Sequence, residues 1–575
     1  MSERDQTQAA GDGQAAALAR LGEDFFQVVH TADPFNATQL GVTGFDALVP
    51  DPSRAGSARA ARQIGAIEER LGGIDASLLD EAGRVNHAVL AHLAWAARSD
   101  LEHGLWEANA SAGGYASPQA AVFQSVPTAL LDDAAAVEGY LRRLRALGGF
   151  FDAVTARYRQ ARQDGRVPTE VGTRQAIEQI EGHLGRALAD DALVAVGLSG
   201  HLDQAAARRH AAEIVDGEVR PALRRPLACL RDDLLPVARP DDKVGICFVP
   251  GGTDGYRAAV RKHTTTGLSP EEIHQVGLDC LEGLREEWAE IGGRVLAISD
   301  VPQILARLRE DRSLRFTDSA QIVDTVTAAL RRAEEARDRW FPRFDIPDCV
   351  IEEIDPVEAG NAPLAYYRPP AAGGKRPGAH CVLTTDPQDR FVYEYEALAF
   401  HESTPGHHLQ IASAQTLTGL QAFRRFLDAE VCGYVEGWGL YCERLADEMG
   451  LYTSDLQRLG MLSFDALRAC RLVVDTGMHH YGWSRAQAAD FMWRNTATTR
   501  ANVRNEIDRY IGWPGQALAY MVGRREIQRL RALAEDSLGA DFDIRAFHGA
   551  VLGNGAVPMS VLAEVVARWA AGAAG

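Results

Sequence analysis

Apolar residues at helical spacing run through most of this 575-residue chain, and they limit its fold more than any other feature. Near the start, Leu18, Leu21 and Phe25 recur every three or four positions, as on one face of an α-helix. Residues 53–240 continue with segments rich in Ala, Leu and Arg, which short polar breaks separate. These residue types favour helices, and a chain of this length can bury a large core. The pattern therefore predicts a mainly α protein.

One region departs from the helical pattern. Between residues 349 and 386, the segments CVIEEID, PLAYYRPP and AHCVLTT alternate apolar and polar residues between Pro- and Gly-rich turns, which predicts three short strands. ICFVP, at 246–250, predicts one more short strand, followed by a turn at PGGTDG. The helical pattern resumes at Tyr393. The small sheet therefore precedes a helix directly, and its edge either serves structure alone or pairs with an extended peptide.

Two helices between these regions have clear boundaries. Ser269 and Glu272 form a capping-box pattern around Pro270, which predicts a helix start at that point. The apolar spacing predicts that this helix runs to about Gly292 and that another covers residues 320–340.

Charge and composition exclude several classes of function. The formal net charge is −19, whereas nucleic-acid binding and anionic membrane surfaces both require basic faces. No window reaches the roughly 18 uninterrupted apolar residues of a membrane span. Eight cysteines lie between Cys229 and Cys470 without a C-x-x-C pair, and no apolar signal segment is found at the start of the chain. We therefore expect a cytoplasmic protein with reduced cysteines.

The stretch HESTPGHHLQ, residues 401–410, concentrates groups that bind metal ions. It places His401, Glu402, His407 and His408 within eight residues, directly after the helical run YEYEALAF. Histidine with a neighbouring carboxylate can hold zinc and activate its water. The usual form is H-E-x-x-H, in which both histidines lie on one helix face. Here Pro405 stands where the second histidine is expected.

Helix geometry leaves two candidates for the second ligand. At about 100° per residue, a straight helix aligns His408 with His401 and turns His407 roughly 120° away. Pro405 disrupts the helix because it lacks an N–H group, and Gly406 permits conformations that other residues avoid. A wide turn or π-type bulge is the expected result, and it could bring His407 back into line with His401. On geometry alone, both histidines remain candidates.

A third ligand is expected because catalytic zinc takes three protein groups and keeps one position for water. Residues 429–450 offer Glu436, whose aromatic neighbours distinguish it from a solvated helical carboxylate. Glu443 shares its helix face and is a candidate partner for a ligand histidine. Glu402 points about 100° from His401, so we predict that it takes a proton from water and passes it to a leaving amine.

Several motifs in order carry a family resemblance. They are AYYRPP (365–370), YEYEALAFHESTPGHHLQ, YVEGWGLYCE, RLVVDTGMHHYGW, RYIGWPGQALAYMVG and FHGAVLGNG. With these motifs the chain resembles a bacterial family catalogued only as a domain of unknown function, DUF885, with the pattern H-E-x-x-P-G-H-x-x-Q. That family is grouped with the gluzincin metallopeptidases, which include the thimet oligopeptidase and thermostable carboxypeptidase types.

The resemblance implies a mainly helical, gluzincin-like fold with a small sheet next to the metal-site helix and a deep cleft. Matching the G-H pairs of the two motifs implies His407 as the second ligand, and YVEGWGLYCE implies Glu436 as the third. In the related peptidases, a histidine and tyrosines of later helices stabilise the oxyanion. The resemblance implies this role for His479 and Tyr510, with Tyr520 as a substitute.

Three further residues complete the predicted site. Arg509 is expected to bind a substrate carboxylate, because a guanidinium fork matches that group, and Tyr520 is expected to contact substrate. Asp475, in the stretch DTGMHHYGW, is expected to support the metal site from behind, as Glu443 does.

These observations divide the chain into a disordered tail (1–14), an N-terminal helical lobe (15–240) and a metallohydrolase lobe (241–575). Within the metallohydrolase lobe, we expect the sheet at 349–386 and the metal site at 393–445. The predicted function is zinc-dependent hydrolysis of amide bonds in small peptides or peptide-like substrates. One alternative is a metal-dependent amide hydrolase that acts on a specialised metabolite, and another is a metal-free protein that binds peptides. Zinc suits the ligand set, although other divalent ions are also compatible, and no oligomeric state is predicted.

Overall fold

The computed structural model describes residues 3–114, 117–197, 203–354, 363–427 and 430–573. The chain is mainly helical, as predicted, and the first part of it consists of helices joined by short loops. These helices are α1 (Glu3–Ala32), α2 (Pro34–Gln39), α3 (Arg54–Gly72), α4 (Glu81–His103), α5 (Pro118–Ser125), α6 (Ala134–Gln163), α7 (Glu170–Gly185), α8 (Gln204–Ile214) and α9 (Arg220–Ala228). None of the described helices is long and apolar enough to cross a membrane.

The start of the chain differs from the prediction. Residues 1–2 lie outside the described part, but the remainder of the predicted disordered tail belongs to helix α1. Ala and Gln favour helices in this segment, and Gln14 anchors it because its side chain accepts a hydrogen bond from the Asp75 backbone at 3.2 Å.

The middle of the chain contains five helices. They are α10 (Gly252–Thr264), α11 (Pro270–Gly283), α12 (Arg285–Leu296), α13 (Val301–Glu310) and α14 (Ser319–Trp340). The capping box is confirmed at Ser269 and Glu272, and α14 matches its predicted range. The helix predicted to reach Gly292 instead breaks after Gly283, a residue of low helix propensity.

The predicted strand at ICFVP is wrong. Ile246–Phe248 form a short 3₁₀ helix, and α10 begins within the predicted turn. The backbone N–H of Ile246 is directed to the Nδ1 atom of His479, 3.1 Å away, rather than to a neighbouring strand.

The three strands predicted at 349–386 are confirmed. They are β1 (Cys349–Glu353), β2 (Ala365–Arg368) and β3 (Gly378–Val382), in the order β1-β3-β2. The central strand β3 runs parallel to β1 and antiparallel to β2, and all five of its residues are buried. His380 therefore lies at the centre of the sheet, opposite Ile351 on one side and Tyr367 on the other.

After the sheet, the chain is helical to the end of the described residues. The helices are α15 (Tyr395–Glu402), α16 (His407–Thr416), α17 (Ala422–Phe426), α18 (Cys432–Glu448), α19 (Asp455–His479), α20 (Arg485–Asn495), α21 (Arg500–Gly512), α22 (Ala519–Leu538), α23 (Ile544–Leu552) and α24 (Met559–Ala573).

The largest apolar core joins the two ends of the chain. Leu18, Phe25 and Leu90, from the first helices, belong to the same cluster of buried side chains as Tyr434 and Trp438 of α18. A second apolar cluster consists only of buried residues between Phe35 and Leu234, and the lobe boundary at residue 240 stays a prediction. The gluzincin-like identity of the fold and the deep cleft stay predictions.

Candidate metal centre

A tight turn separates the two predicted ligand histidines. Instead of one bulged helix, α15 ends at Glu402 and α16 begins at His407. The Thr404–Pro405 bond in this turn is cis. A Cβ atom on Gly406 would lie 1.9 Å from the carbonyl oxygen of His401, so only glycine permits the chain to pass so close to the end of α15. The Pro405-Gly406 pair thus creates a turn that restarts the helix at His407.

Hydrogen bonds attach this turn to the elements around it. The carbonyl oxygen of Pro405 accepts a hydrogen bond from Nε1 of Trp438 at 3.0 Å and one from Sγ of Cys442 at 3.3 Å. Both donors belong to α18. On the other side, Oγ of Ser403 lies 3.0 Å from Nδ1 of His380 at the centre of the sheet. The turn is therefore fixed between the sheet and α18.

His401, His407 and Glu436 converge across this turn. One ligand atom from each residue lies within 4.8 Å of the others. The Nε2 atoms of His401 and His407 are 3.7 and 3.4 Å from Oε2 of Glu436. Among the described residues, this is the one group of three or more His, Cys, Asp or Glu side chains close enough together to hold a metal ion.

Two residues of α18 create the space and the orientation for this cluster. A Cβ atom on Gly439 would lie 2.8 Å from Nε2 of His401 and 3.0 Å from Cε1 of His407, so the histidines approach α18 only because residue 439 has no side chain. Oε1 of Glu443 lies 2.8 Å from Nδ1 of His401. This carboxylate accepts the Nδ1 proton and orients the ring so that Nε2 faces the cluster.

The structure directs His408 away from the cluster. Its Nδ1 atom lies 3.0 Å from the hydroxyl of Tyr367 on β2, and its Nε2 atom lies 2.9 Å from the carbonyl oxygen of Pro347. Both ring nitrogens are therefore engaged. Of the two histidines that helix geometry left open, it is His407 that lies beside His401 and Glu436.

Electrostatics favours positive charge at the cluster. Burial disfavours a charged imidazole, but Glu436 and Glu443 outweigh it and raise the pKa of His401 to about 9. Burial likewise opposes ionisation of Glu436, but the imidazoles of His401 and His407 hold its pKa below the ordinary value. A divalent cation supplies the same kind of charge.

Two of the predicted catalytic or substrate-binding residues lie beside the cluster. Glu402 is buried next to His401, and burial raises the pKa of its carboxyl group. The ring of Tyr520 is stacked 6.2 Å from the ring of His401 and is partly exposed. Neither the Glu402 carboxylate nor the Tyr520 hydroxyl bonds to a described residue, so both are available to a substrate.

The prediction that His479 stabilises an oxyanion does not fit the geometry. Its Nδ1 atom accepts the N–H of Ile246, so Nε2 carries the proton and donates to the carbonyl oxygen of Tyr510 at 3.0 Å. Burial lowers the pKa of His479 to about 4. The ring is a neutral structural group that connects helix α19 to α21.

Asp475 also differs from its predicted place. Its carboxylate accepts hydrogen bonds from the hydroxyl of Tyr256 at 2.7 Å and from the N–H of Gly515 at 3.2 Å. Neither partner belongs to the cluster of His401, His407 and Glu436. Burial raises the pKa of Asp475 to about 7. The residue anchors the loop before α22 instead of a ligand histidine.

Tyr510 and Arg509 belong to one network of charged and polar side chains with Arg471 and Glu506. The hydroxyl of Tyr510 donates to Glu506 and accepts from Nε of Arg471, 2.7 Å away. Arg509 donates to Gln516 at 2.8 Å, and 27% of its side chain is exposed. Tyr510 is fully buried, so Tyr520 is better placed than Tyr510 to reach a substrate.

Sequence reasoning missed Arg468 and Arg471, on one face of α19. Nη2 of Arg468 lies 3.2 Å from the carboxylate of Glu443, and both guanidinium groups lie against the ring of Tyr520. A signal was present, because the segment FDALRACRLVV places these two charges in an otherwise mostly apolar helix. Buried arginines are rare unless they are paired.

Two solved structures are similar to this chain over almost its whole length. One is a structure from Colwellia psychrerythraea that is described provisionally as a lipoprotein. Its sequence is 25% identical to this chain, the TM-score is 0.89, and the alignment covers 98% of this chain and 99% of that one. A second, from Shewanella oneidensis, described provisionally as a lipoprotein of unknown function, is 17% identical with a TM-score of 0.71, over 96% and 99%.

A curated relative matches a smaller part of the chain. The transfer protein TraSA of Streptomyces ambofaciens is 27% identical over 282 residues, which are 47% of this chain and 61% of that protein. The family model described as "Bacterial protein of unknown function (DUF885)" matches residues 34–566, which include His401, His407 and Glu436. The chain therefore belongs to the DUF885 family.

Proposed function

We propose that this protein is a zinc-dependent hydrolase that cleaves amide bonds in small peptides or peptide-like molecules. The observation that carries the proposal is the convergence of His401, His407 and Glu436 within 4.8 Å. Two imidazoles and one carboxylate are a ligand set that catalytic zinc sites use. The H-E-x-x-P-G-H-x-x-Q pattern and its likeness to gluzincin peptidases support the same activity.

The residues present fit a zinc ion. Glu443 forms a hydrogen bond with Nδ1 of His401, so that Nε2 is available to a metal ion. This is the usual arrangement around ligand histidines. Nδ1 of His407 is buried without a hydrogen-bond partner among the described residues, while its Nε2 atom faces Glu436. When bound, zinc supplies a Lewis acid and lowers the pKa of water.

The remaining chemistry belongs to the protein. Glu402 accepts a proton from the attacking water and delivers it to the leaving nitrogen. The oxygen of water bonds to the carbonyl carbon, the C–N bond breaks, and an acid and an amine are released. The Tyr520 hydroxyl donates a hydrogen bond to the carbonyl oxygen as negative charge develops on it.

Metal content and one substitution test this proposal. We expect the purified protein to contain one zinc per chain and to hydrolyse members of a peptide library. The variant Glu402→Gln should retain the metal and lose hydrolysis, while Glu448→Gln, which changes an acid far along α18, should retain both. Turnover by Glu402→Gln would disprove the assignment of the base. Absence of bound metal would contradict the whole proposal and favour a metal-free peptide-binding protein.

A further inference from the structure

A group of three charges, of which Arg471 is buried and the other two are partly exposed, lies beyond the Tyr520 ring from the His/Glu cluster. Nη2 of Arg471 is 2.7 Å from the carboxylate of Glu506, and Nη2 of Arg509 is 3.4 Å from the same carboxylate oxygen. We call Arg471, Glu506 and Arg509 the arginine triad. Tyr510 completes the contacts, because its hydroxyl bonds to both Arg471 and Glu506.

The triad carries more positive than negative charge. Two guanidinium groups share one carboxylate, and Arg471 is only 6% exposed. Nη1 of Arg471 has no hydrogen-bond partner among the described residues. Asp475 also acts on Arg509 electrostatically, but its oxygens bond to Tyr256 and Gly515. An excess positive charge that is largely withdrawn from water is costly unless an anion compensates it, so this arrangement predicts an anionic ligand.

The ring of Tyr520 connects the triad to the metal cluster. Cζ of Arg471 lies 4.4 Å from the centre of this ring, and the ring of His401 lies 6.2 Å from the same centre. An extended residue spans about 3.5 Å. The His401 ring and Cζ of Arg471 are thus at most about 11 Å apart. A zinc–nitrogen bond of about 2 Å and an ion pair of up to about 4 Å account for much of that distance, so a ligand whose carbonyl group contacts the His/Glu cluster can reach Arg471 with an anion about one residue further along.

We propose that the arginine triad binds the free carboxylate of the substrate, on the side of the leaving amine, so that hydrolysis releases the C-terminal residue. The inference rests on the proposed function and narrows it from amide bonds in general to bonds next to a terminal carboxylate. The water oxygen bonds to the carbonyl carbon, and the nitrogen that leaves with the proton belongs to a free amino acid. An internal peptide bond offers no anion at this distance, and guanidinium groups match carboxylates through paired hydrogen bonds.

A pair of substrates that differ only at the terminus tests this proposal. We would compare an N-acylated dipeptide with a free carboxylate against its C-terminal amide, using zinc-loaded protein. The wild-type protein should favour the free acid by about 100-fold in kcat/KM, since hydrogen bonds to charged groups contribute strongly. Arg509→Gln should lower kcat/KM for the acid by about 50-fold, mainly through KM, and change the amide less than twofold.

Controls separate recognition from structure. Arg485→Gln is the matched control, because Arg485, on α20, pairs at 2.6 Å with Asp508, the residue before Arg509 on α21. Its kinetics should equal those of the wild type. If Arg509→Gln fails to fold, Arg471→Lys retains the charge, loses the planar fork and should show the same selective loss.

Binding provides a second readout that does not depend on turnover. Calorimetry should show that an N-acetyl amino acid binds the wild-type protein, that its amide does not, and that Arg509→Gln abolishes the difference. Equal hydrolysis or binding of acid and amide by the wild-type protein would overturn the proposal, as would an equal loss on both substrates in Arg509→Gln. Triad-dependent binding of the acid without hydrolysis of either substrate would instead support the anion site and overturn the hydrolase function.

Discussion

His401 uses its two ring nitrogens for different purposes. Nδ1 faces the buried carboxylate of Glu443, and Nε2 faces Glu436 and the centre of the cluster. Arg468 contacts the same oxygen of Glu443, which offsets the cost of burying that negative charge. Glu443, which Arg468 supports, therefore fixes a proton on Nδ1 of His401 although neither residue is a predicted metal ligand.

Removing the charge of Glu443 should weaken metal binding. We expect Glu443→Gln to lower zinc affinity by about 10- to 100-fold, because the amide orients His401 less strongly and makes it a weaker base. Competition with a chelator of known affinity measures the change. Glu448→Gln, five residues along the same helix, should leave affinity unaltered, and an unchanged affinity in Glu443→Gln would contradict the supporting role.

The two tyrosines predicted near the site should behave differently when the hydroxyl is removed. Tyr520→Phe should lower kcat by roughly 100-fold with little change in stability, because the Tyr520 hydroxyl bonds to no described residue and is free to act on the carbonyl oxygen. Tyr510→Phe should mainly lower the midpoint of urea unfolding, since its hydroxyl bonds to Arg471 and Glu506. The reverse pattern would show that Tyr510 is the donor.

At the scale of elements, helix α18 determines how close the histidines come to each other. It supplies Glu436 and Glu443, it binds the turn at Pro405 through Trp438, and it leaves a space at Gly439. Glu436, Gly439 and Glu443 occupy one helix face because they lie three and four positions apart. The site is therefore as much a property of α18 as of the histidine motif.

Adding one methyl group at position 439 should damage the site selectively. In Gly439→Ala, Cβ would lie 2.8 Å from the His401 ring, and the histidines would have to move. We expect zinc affinity to fall by at least about 10-fold, as for other residues that orient ligands, while the helix itself is slightly favoured. Metal content and far-UV circular dichroism measure both effects. Gly283→Ala is the control, because a Cβ atom added there meets no atom of a neighbouring element within 4 Å. Full zinc occupancy in Gly439→Ala would refute the close contact.

Sequence patterns predicted helices and strands correctly where interactions between nearby residues determine the structure. The three strands, the capping box at Ser269 and helix α14 follow from spacing, turns and caps within a few residues. ICFVP has a strand pattern, but the N–H of Ile246 bonds to a histidine 233 positions away. His479 failed as a predicted site residue for the same reason, because its partners lie on distant segments. The position of His407 followed from the family resemblance, since helix geometry alone left His408 equally plausible.

At the scale of the whole molecule, one buried acid should affect how stability depends on pH. Glu394 is 2% exposed, its carboxylate has no hydrogen-bond partner among the described residues, and burial raises its pKa to about 8. Between its ordinary pKa and this value, the folded state holds a proton that the unfolded state has lost. Its contribution to stability therefore falls as pH rises from about 4.5 to 8.

Replacing Glu394 with a neutral side chain of the same shape should remove this loss of stability at high pH. Glu394→Gln cannot ionise, so its unfolding free energy should exceed that of the wild type by an amount that grows with pH and reaches about 1–4 kcal/mol at pH 8. Urea unfolding at several pH values measures the difference. Glu396→Gln should instead be destabilising, because it removes the partner of Arg332 at 2.8 Å. A difference that does not depend on pH would mean that Glu394 is ionised throughout.

The shared core of the first helices and α18 has a consequence for shortened chains. Leu18, Phe25 and Leu90 belong to the same apolar cluster as Tyr434 and Trp438, so a chain that begins at residue 241 would lack part of the core to which α18 belongs. Its histidine motif would be intact in sequence, but the helix that aligns it would lack support. The family match, from residue 34 to 566, begins after α1 but includes Leu90 and both aromatic residues of α18. The matched length is therefore much greater than the stretch from His401 to Glu436.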